Sequence, residues 1–363
     1  MTGRRRFIAT ASGLVAAGAA AIIDAPHVIA QPKIQWRMST AWPPQLDNLQ
    51  RSAEQLGKLV DEMSGGRFQM QVYPGGQIMA PFACFDAASK GDIQAFMAAG
   101  TYWVDRDVAT AWFSTIPFGM DPQGMAAWYA HGDGLKVWEE TFAPFNLIPR
   151  LGPAFAPQMG GWFRKKINAL ADYKGLKMRI AGLGGQVIGK AGATAVLTPA
   201  AEIYASLEKG VVDAGEWVGP HDDMKLGLHK TARYYYYPGW HEPGTSAEFG
   251  FNKKAYEGLP ADLRRILDLA VTATQVQGVL DFHAKNAVAL ERLKTEFKDS
   301  VELVQFPAPV LRELKKISTQ VVKEYSEKSP MARKVNASFQ KFQALVGGWD
   351  RVAEGAYQQL LAG

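Results

Sequence analysis

Four segments of this chain carry polar residues where an apolar strand pattern ends, and their types suit an anion held beside a hard cation. Gln158 opens Gln-Met-Gly-Gly-Trp-Phe-Arg, and Arg179 falls inside the apolar pattern Lys-Met-Arg-Ile. Glu216-Trp217 closes Val-Val-Asp-Ala-Gly-Glu-Trp, and Glu242 follows the aromatic run Tyr234-Tyr235-Tyr236-Tyr237-Pro238-Gly239-Trp240. An arginine in an apolar strand cannot lose its charge and needs an anionic partner, and its planar fork matches a carboxylate with two parallel bonds. That partner can be external, or it can be Asp213 or Glu216 of the same chain; residue types alone leave both open. Two glutamates, an amide oxygen and a backbone carbonyl are hard donors that suit sodium or calcium rather than zinc. A cation beside a bound carboxylate would offset the mutual repulsion of the acids.

Other chemistries find little support. There is no Walker loop, no G-x-S-x-G, no H-E-x-x-H and no cysteine pair. Gly182-Leu183-Gly184-Gly185 lies between a strand and a helix pattern, but Val187 breaks the G-x-G-x-x-G spacing, so a tight turn is expected there. The six histidines are scattered, and none shares a helical face with another at metal-ligand spacing. His241 is expected in a supporting position or at the surface. The lone Cys84 cannot make an internal disulfide.

The elements that must position these residues follow an α/β grammar. Lys33 to Ser39 alternates as a strand; Leu49, Ala53, Leu56, Val60 and Met63 recur at helical spacing; Phe68 to Tyr73 alternates again. In the middle, Leu176 to Ile180 reads as a strand, Thr198-Pro199 as a capped helix start, and Val211 to Trp217 as another strand. Strands alternating with helices imply parallel pairing. From Pro260 the chain turns helical, with Leu263, Leu267, Ala270, Val276, Val279, His283, Ala287, Leu290 and Phe297 on one expected face. Helical stretches continue to the C-terminus beyond Pro307 and Pro309. The expectation is an α/β bilobal protein with its ligand in a crevice at the carboxyl ends of strands. Its domain I would span residues 31–152 plus about 247–300, domain II residues 153–246, and a helical segment residues 301–363.

Residues 1–30 stand apart. Arg4-Arg5-Arg6 precede an Ala-rich apolar stretch from Ile8 to Ile23, and Val28-Ile29-Ala30 offers a small-residue exit before Gln31. This is a signal-peptide pattern, with a twin-arginine flavour in Arg-Arg-Arg-Phe-Ile, and it is too short and too weakly apolar for a spanning helix. Export to the periplasm is therefore expected. The leader holds three arginines and one aspartate, so of 40 basic and 35 acidic residues the remainder keeps a net +3, spread without a basic block. Nucleic acid is not an expected partner. Ten tryptophans and twelve tyrosines are more than a core requires and suit walls around a small ligand.

Three runs, read together, resemble the substrate-binding proteins of tripartite ATP-independent periplasmic (TRAP) transporters: Leu176-Lys177-Met178-Arg179-Ile180, Pro199 to Gly210, and Val212-Asp213-Ala214-Gly215-Glu216-Trp217. Gln158 to Arg164, Glu216-Trp217-Val218-Gly219-Pro220 and the tyrosine run ending in Trp240 narrow the resemblance to the branch that binds 2-oxo acids or lactate. The resemblance implies that Arg179 grips the ligand carboxylate and that Gln158 touches both ligand and ion. It also implies that Glu216, the Trp217 carbonyl and Glu242 hold a sodium or calcium ion. Tyr102, Trp103, Phe155 and Trp217 are expected to wall the pocket. It further implies two α/β domains sharing strands and a long spanning helix, a TRAP membrane permease as partner, and no enzymatic activity; the helical C-terminus permits a homodimer. A dicarboxylate binder, a periplasmic metal-dependent enzyme and a sensory binding protein are the alternatives weighed. A second basic group in the pocket would favour the first of these.

Overall fold

The computed structural model describes residues 33–361, so the expected leader lies outside the described residues. Along β1 (Ile34–Thr40), buried Trp36 and Met38 alternate with exposed Gln35 and Arg37. β2 (Phe68–Tyr73) and β3 (Ala95–Ala98) pair parallel to β1, with Ile34 opposite Phe68 and Met38 opposite Ala95. Parallel neighbours need crossovers. α1 (Asp47–Met63) supplies one, burying Leu49, Ala53, Leu56 and Val60 as the spacing predicts but leaving Met63 exposed in its last turn, and α2 (Cys84–Lys90) supplies the other. The short helices α3 (Ala111–Ser114), α4 (Pro122–His131) and α5 (Gly134–Phe142) carry Trp112, Trp128 and Trp138, all fully buried. The chain then enters β4 (Leu147–Ala154) and leaves this first sheet, whose order becomes β2-β1-β3-β10-β4 when β10 (Ser246–Asn252) joins it.

A second sheet is built from β5 (Gly161–Phe163), β6 (Lys177–Arg179), β7 (Thr194–Val196), β8 (Ala214–Gly215) and β9 (Tyr234–Tyr237). Helices α6 (Gly182–Lys190), α7 (Ala200–Glu208) and α8 (Pro220–Lys225) alternate with these strands. β10 (Ser246–Asn252) returns the chain to the first sheet, antiparallel to both β3 and β4. After α9 (Lys253–Glu257), the 35-residue α10 (Ala261–Thr295) runs about 52 Å at 1.5 Å per residue, packing on α1, β4 and α8. β11 (Glu302–Gln305) then joins the second sheet, in the order β11-β9-β5-β8-β6-β7. The chain ends in α11 (Ala308–Ser326), α12 (Pro330–Val352) and α13 (Glu354–Leu361).

Two segments pass side by side between the sheets, Ala154 to Gly161 and Tyr237 to Ser246. Phe155 N donates to Thr245 O at 2.7 Å, and Gly239 N donates to Gln158 O at 3.0 Å. The approach at Gly239 is so close that a Cβ there would lie 2.3 Å from Gln158 O, so any side chain would force the segments apart.

Several expectations change in detail. Pairing is mixed rather than wholly parallel, because the two crossing segments return in opposite directions and make β4, β5 and β10 antiparallel to neighbours. The Gly182–Gly185 run is the first turn of α6 itself, not a turn before it. Thr198 does not cap α7: its hydroxyl lacks a partner, and its carbonyl accepts from Arg179 instead. Regular strand between Val211 and Trp217 shrinks to Ala214–Gly215. On α10, Val276, His283 and Ala287 face outward, while Val271, Thr274, Phe282, Ala289 and Leu293 are buried, since the helix meets different neighbours along its length. The expected helical segment 301–363 also contributes a strand, β11. No helix among the described residues is long and apolar enough to cross a membrane.

Candidate functional site

The crossing segments, the end of β6 and the loop after β8 meet around one buried cavity. Gln158, Arg179, Glu216, Trp217 and Glu242 all line it, so residues up to 84 positions apart converge as the sequence pattern required. Each backbone is pinned near the point where its side chain projects. Met159 N donates to Val218 O at 3.0 Å, tying the first crossing to the β8–α8 loop. Glu216 N donates to Arg179 O at 3.0 Å, tying that loop to β6. Gly182, at φ 60°, lets α6 start against the wall, where a Cβ would lie 2.0 Å from Thr101 Oγ1.

Arg179 is 1% exposed, and four of its five N–H groups bond protein oxygens, leaving one Nη2 hydrogen for an outside acceptor. Nη1 donates to Glu216 Oε1 at 2.7 Å and to Glu216 O at 3.0 Å; Nε and Nη2 donate to Thr198 O at 3.3 and 3.2 Å. Its guanidinium also lies 5.1 Å from the Trp217 ring centroid. Of the two internal partners considered from sequence, Glu216 is the one met; the Asp213 carboxylate accepts from Lys177 N instead. Burial drives the Glu216 carboxyl up, but the Arg179 charge and contact with His241 outweigh it and leave the group below its ordinary value. Glu242 goes the other way: burial, then the nearby charge of Glu216, push it up. The Glu242 Oε2 accepts from Gln158 Nε2 and from Thr245 Oγ1, both at 2.9 Å.

The donor set fits a hard cation. Gln158 Oε1 is buried without a hydrogen-bond donor, and two carboxylates stand on the same wall. Arg179 is the one Lys or Arg among the lining residues. Adding a carboxylate would set three negative charges against one positive, a costly balance in a buried site unless a cation joins it.

Phe155 and Tyr102 take their expected places on the wall, with burial pushing the Tyr102 hydroxyl up to about 12. Trp103 does not join them. It lies behind the wall, packed on Phe85 and Phe96, with its indole N–H donated to Glu248. Adjacent residues in the 3-10 turn Gly100–Trp103 point apart, so only one of the pair can face the cavity. Trp42 supplies aromatic surface there instead, edge-on to Phe155 at 5.7 Å and hydrogen-bonded to Tyr102. His241 is buried with both ring nitrogens lacking hydrogen-bond partners, and its Nε2 is 3.6 Å from Glu216 Oε2. Sequence reasoning missed Trp42, Leu49, Thr101 and Thr245, which carried no motif; only the proline pair after Trp42 marked a loop.

A second polar cluster joins α1 to α8. Asp47, His221 and Asp222 bring ligand-type atoms within 4.8 Å of one another. The positive charge there is already supplied by Lys285, whose Nζ is 3.0 Å from Asp47 Oδ2, while His221 Nε2 sits 2.8 Å from Asp47 Oδ1. Burial alone would raise Asp47, but His221 and Lys285 bring it down to about 2.

The sequence profile of DctP, described as bacterial extracellular solute-binding protein family 7, matches residues 38–329. The chain belongs to the DctP family. A relative from Nostoc sp., a monocarboxylate 2-oxoacid-binding periplasmic protein, is 36% identical over 327 residues, covering 90% of this chain and 89% of its own length. A TRAP periplasmic solute-binding protein of Pseudoalteromonas atlantica, crystallised with sodium and pyruvate, superposes with a TM-score of 0.87 at 36% identity, covering 90% of this chain and 99% of its own. A TRAP solute-binding protein of Bordetella bronchiseptica superposes with a TM-score of 0.88 at 35% identity, covering 91% of this chain and 97% of its own. It is a mixed-occupancy dimer with calcium and picolinate in one active site.

Proposed function

We propose that this DctP-family chain is the periplasmic solute-binding subunit of a TRAP transporter, capturing a small 2-oxo or 2-hydroxy monocarboxylate with a sodium or calcium ion and delivering it to a membrane permease. The observation that carries the reading is the cavity itself: one buried arginine, two buried glutamates and an amide oxygen without a donor, on a wall that is otherwise largely apolar. Arg179 and Gln158 would fix the carboxylate. Gln158, Glu216, Glu242 and the Trp217 carbonyl would hold the ion, which would supply the missing positive charge. Tyr102, Phe155 and Trp217, with Trp42 in the place expected of Trp103, would accept the short alkyl tail.

The ligands of the two crystallised relatives support this choice by their chemistry. Pyruvate offers a carboxylate oxygen and the adjacent oxo oxygen; picolinate offers a carboxylate oxygen and the adjacent ring nitrogen. Each can close a five-membered chelate on one cation. A dicarboxylate would need a second cationic side chain, and Arg179 is the one Lys or Arg on the wall. The reading assigns no catalysis: both glutamates that could serve as acid or base are committed to the ion. Domain I (31–152 with about 247–300) and domain II (153–246) would close on the solute along the two crossing segments.

A homodimer through the C-terminal helices is part of the same proposal. Leu345, Trp349, Val352, Tyr357, Leu360 and Leu361 of α12 and α13 are each at least 59% exposed, an apolar strip that a second copy would cover.

Calorimetric titration of refolded, chelator-treated protein with pyruvate, in potassium buffer and then with sodium or calcium restored, tests the reading. Binding that appears only with a cation supports it and names the ion. Equal binding without any added cation would remove the ion bridge, and no heat with pyruvate or lactate under any condition would remove the solute assignment.

A further inference from the structure

The Trp217 carbonyl is the ion ligand whose direction no side-chain rotamer sets; the peptide plane alone aims it. In a trans peptide the C=O of residue 217 and the N–H of residue 218 point in opposite directions, so whatever holds Val218 N–H also holds the Trp217 carbonyl. That group is Asp223. Its Oδ1 accepts from Val218 N at 3.0 Å across a loop of five residues. The other oxygen is clamped from behind: Oδ2 accepts from Trp162 Nε1 and from Tyr235 OH, each at 2.8 Å. Those two rings stack at 3.9 Å with planes 12° apart on neighbouring strands β5 and β9, and both are fully buried. The Asp223 side chain is fully buried and meets three N–H or O–H donors, so it has one available orientation. On the far side of the same residue, Val218 O accepts from Met159 N at 3.0 Å, which stops the loop from rotating as a unit.

We infer that Asp223 is the positioning residue of the ion site, locking the Trp217–Val218 peptide so that the Trp217 carbonyl is preorganised toward the cation. The inference rests on the ion-bridged reading proposed above. A carboxylate on the N–H side also polarises the peptide, drawing electron density onto the carbonyl oxygen and making it a better ligand for a hard cation. Supporting groups that orient a metal ligand in this way are typically worth about 10–100-fold in metal affinity.

The test compares two substitutions at opposite ends of one hydrogen-bond chain. Asp223→Asn keeps size but weakens the hold on Val218; Tyr235→Phe removes a donor to Oδ2 and leaves the Oδ1 contact in place. Cation affinity is measured by calorimetry at fixed pyruvate, and unfolding midpoints are measured with no cation present. The expected result is a loss of about tenfold or more in cation affinity for D223N. Pyruvate affinity of D223N should recover at saturating cation. Y235F should lower the unfolding midpoint while its cation affinity stays within about threefold of the parent. Equal loss of cation affinity in both variants would make Asp223 merely structural, and no loss in D223N would also overturn the assignment. The unsubstituted protein gives a reading that does not depend on the variants folding: Val218 N–H should be strongly protected from hydrogen exchange before any cation is added, and rapid exchange there overturns the inference. If the unsubstituted protein binds pyruvate equally well without cations, the ion-bridged reading itself fails, and that outcome is recognised before any variant is made.

Discussion

Replacing Arg179 with alanine separates the two roles the arginine can play. In the fold, it is the counter-charge of Glu216, with both side chains 2% exposed and the contact at 2.7 Å. Removing one partner of such a buried pair strands the other charge and costs about 3–5 kcal/mol. Glu216 would keep the Ala181 N–H at 2.9 Å and the His241 contact, so the lower end of that range is expected. A loss near 3 kcal/mol would lower the unfolding midpoint by roughly 6–12 °C on the scale of medium-sized domains. In binding, the one N–H that Arg179 has left can give a charge-assisted hydrogen bond to a carboxylate, worth about 1.5–3 kcal/mol. Pyruvate affinity should therefore fall by roughly one to two decades at saturating cation. Arg179→Lys keeps the charge but cannot reproduce the fork that reaches Thr198 O and Glu216 together, so an intermediate loss is expected. Calorimetry with pyruvate and thermal unfolding without it measure the two effects separately. An alanine variant with native circular dichroism, a lowered midpoint and pyruvate affinity within about threefold of the parent would falsify the ligand role, leaving Arg179 as the internal partner of Glu216 alone.

Glu216→Gln should weaken pyruvate binding through the ion, so raising the cation concentration should restore part of it; calorimetry that finds neither weakening nor rescue removes Glu216 from the ion site. Glu248, buried behind the site with Trp103 as its donor, is raised by burial to about 8. Because the folded carboxyl holds its proton more tightly than the unfolded one, stability should fall as pH rises from about 4.5 to about 8 and then level off. Glu248→Gln should flatten that profile and gain a few kcal/mol at pH 8; identical pH profiles in denaturant titrations would contradict the burial argument. Trp349→Glu places a charge on a residue that is 67% exposed, so folding should be unaffected while any dimer dissociates. Light scattering that finds the same mass for parent and variant would take the C-terminal strip out of the interface.

Much of the architecture was legible in local pattern. Phe68–Tyr73 alternates and is β2 to the residue, and Leu49, Ala53, Leu56 and Val60 bury the face their spacing implies. Where side chains answer to a single flat neighbour, periodicity suffices. It fails on α10, where Val276 and His283 turn outward because the helix crosses from α1 and β4 to α8 and changes its buried face on the way. It fails again at Val211–Trp217, where Asp213 N and Glu216 N donate to β6 but Val211 N and Val212 N turn back to Ser206 O, leaving regular strand only at Ala214–Gly215.

The site divides along the same line. Residue chemistry nominated Gln158, Arg179, Glu216 and Glu242, because an unneutralisable charge in an apolar strand and acids at strand ends demand partners whatever the fold, and the family resemblance gave them their expected roles. Which partners they meet was settled by the tertiary structure. Gly239 brings the second crossing segment against Gln158 O and so places Glu242 within 2.9 Å of the Gln158 amide. The turn at Gly100–Trp103 sends Tyr102 toward the cavity and Trp103 toward Glu248. Trp42, Thr245 and Asp223 carry no signature in sequence, since a hydrogen bond between distant segments depends on a register that only the packed sheets define. Chemical need is a property of the residue; which group answers it is a property of the fold.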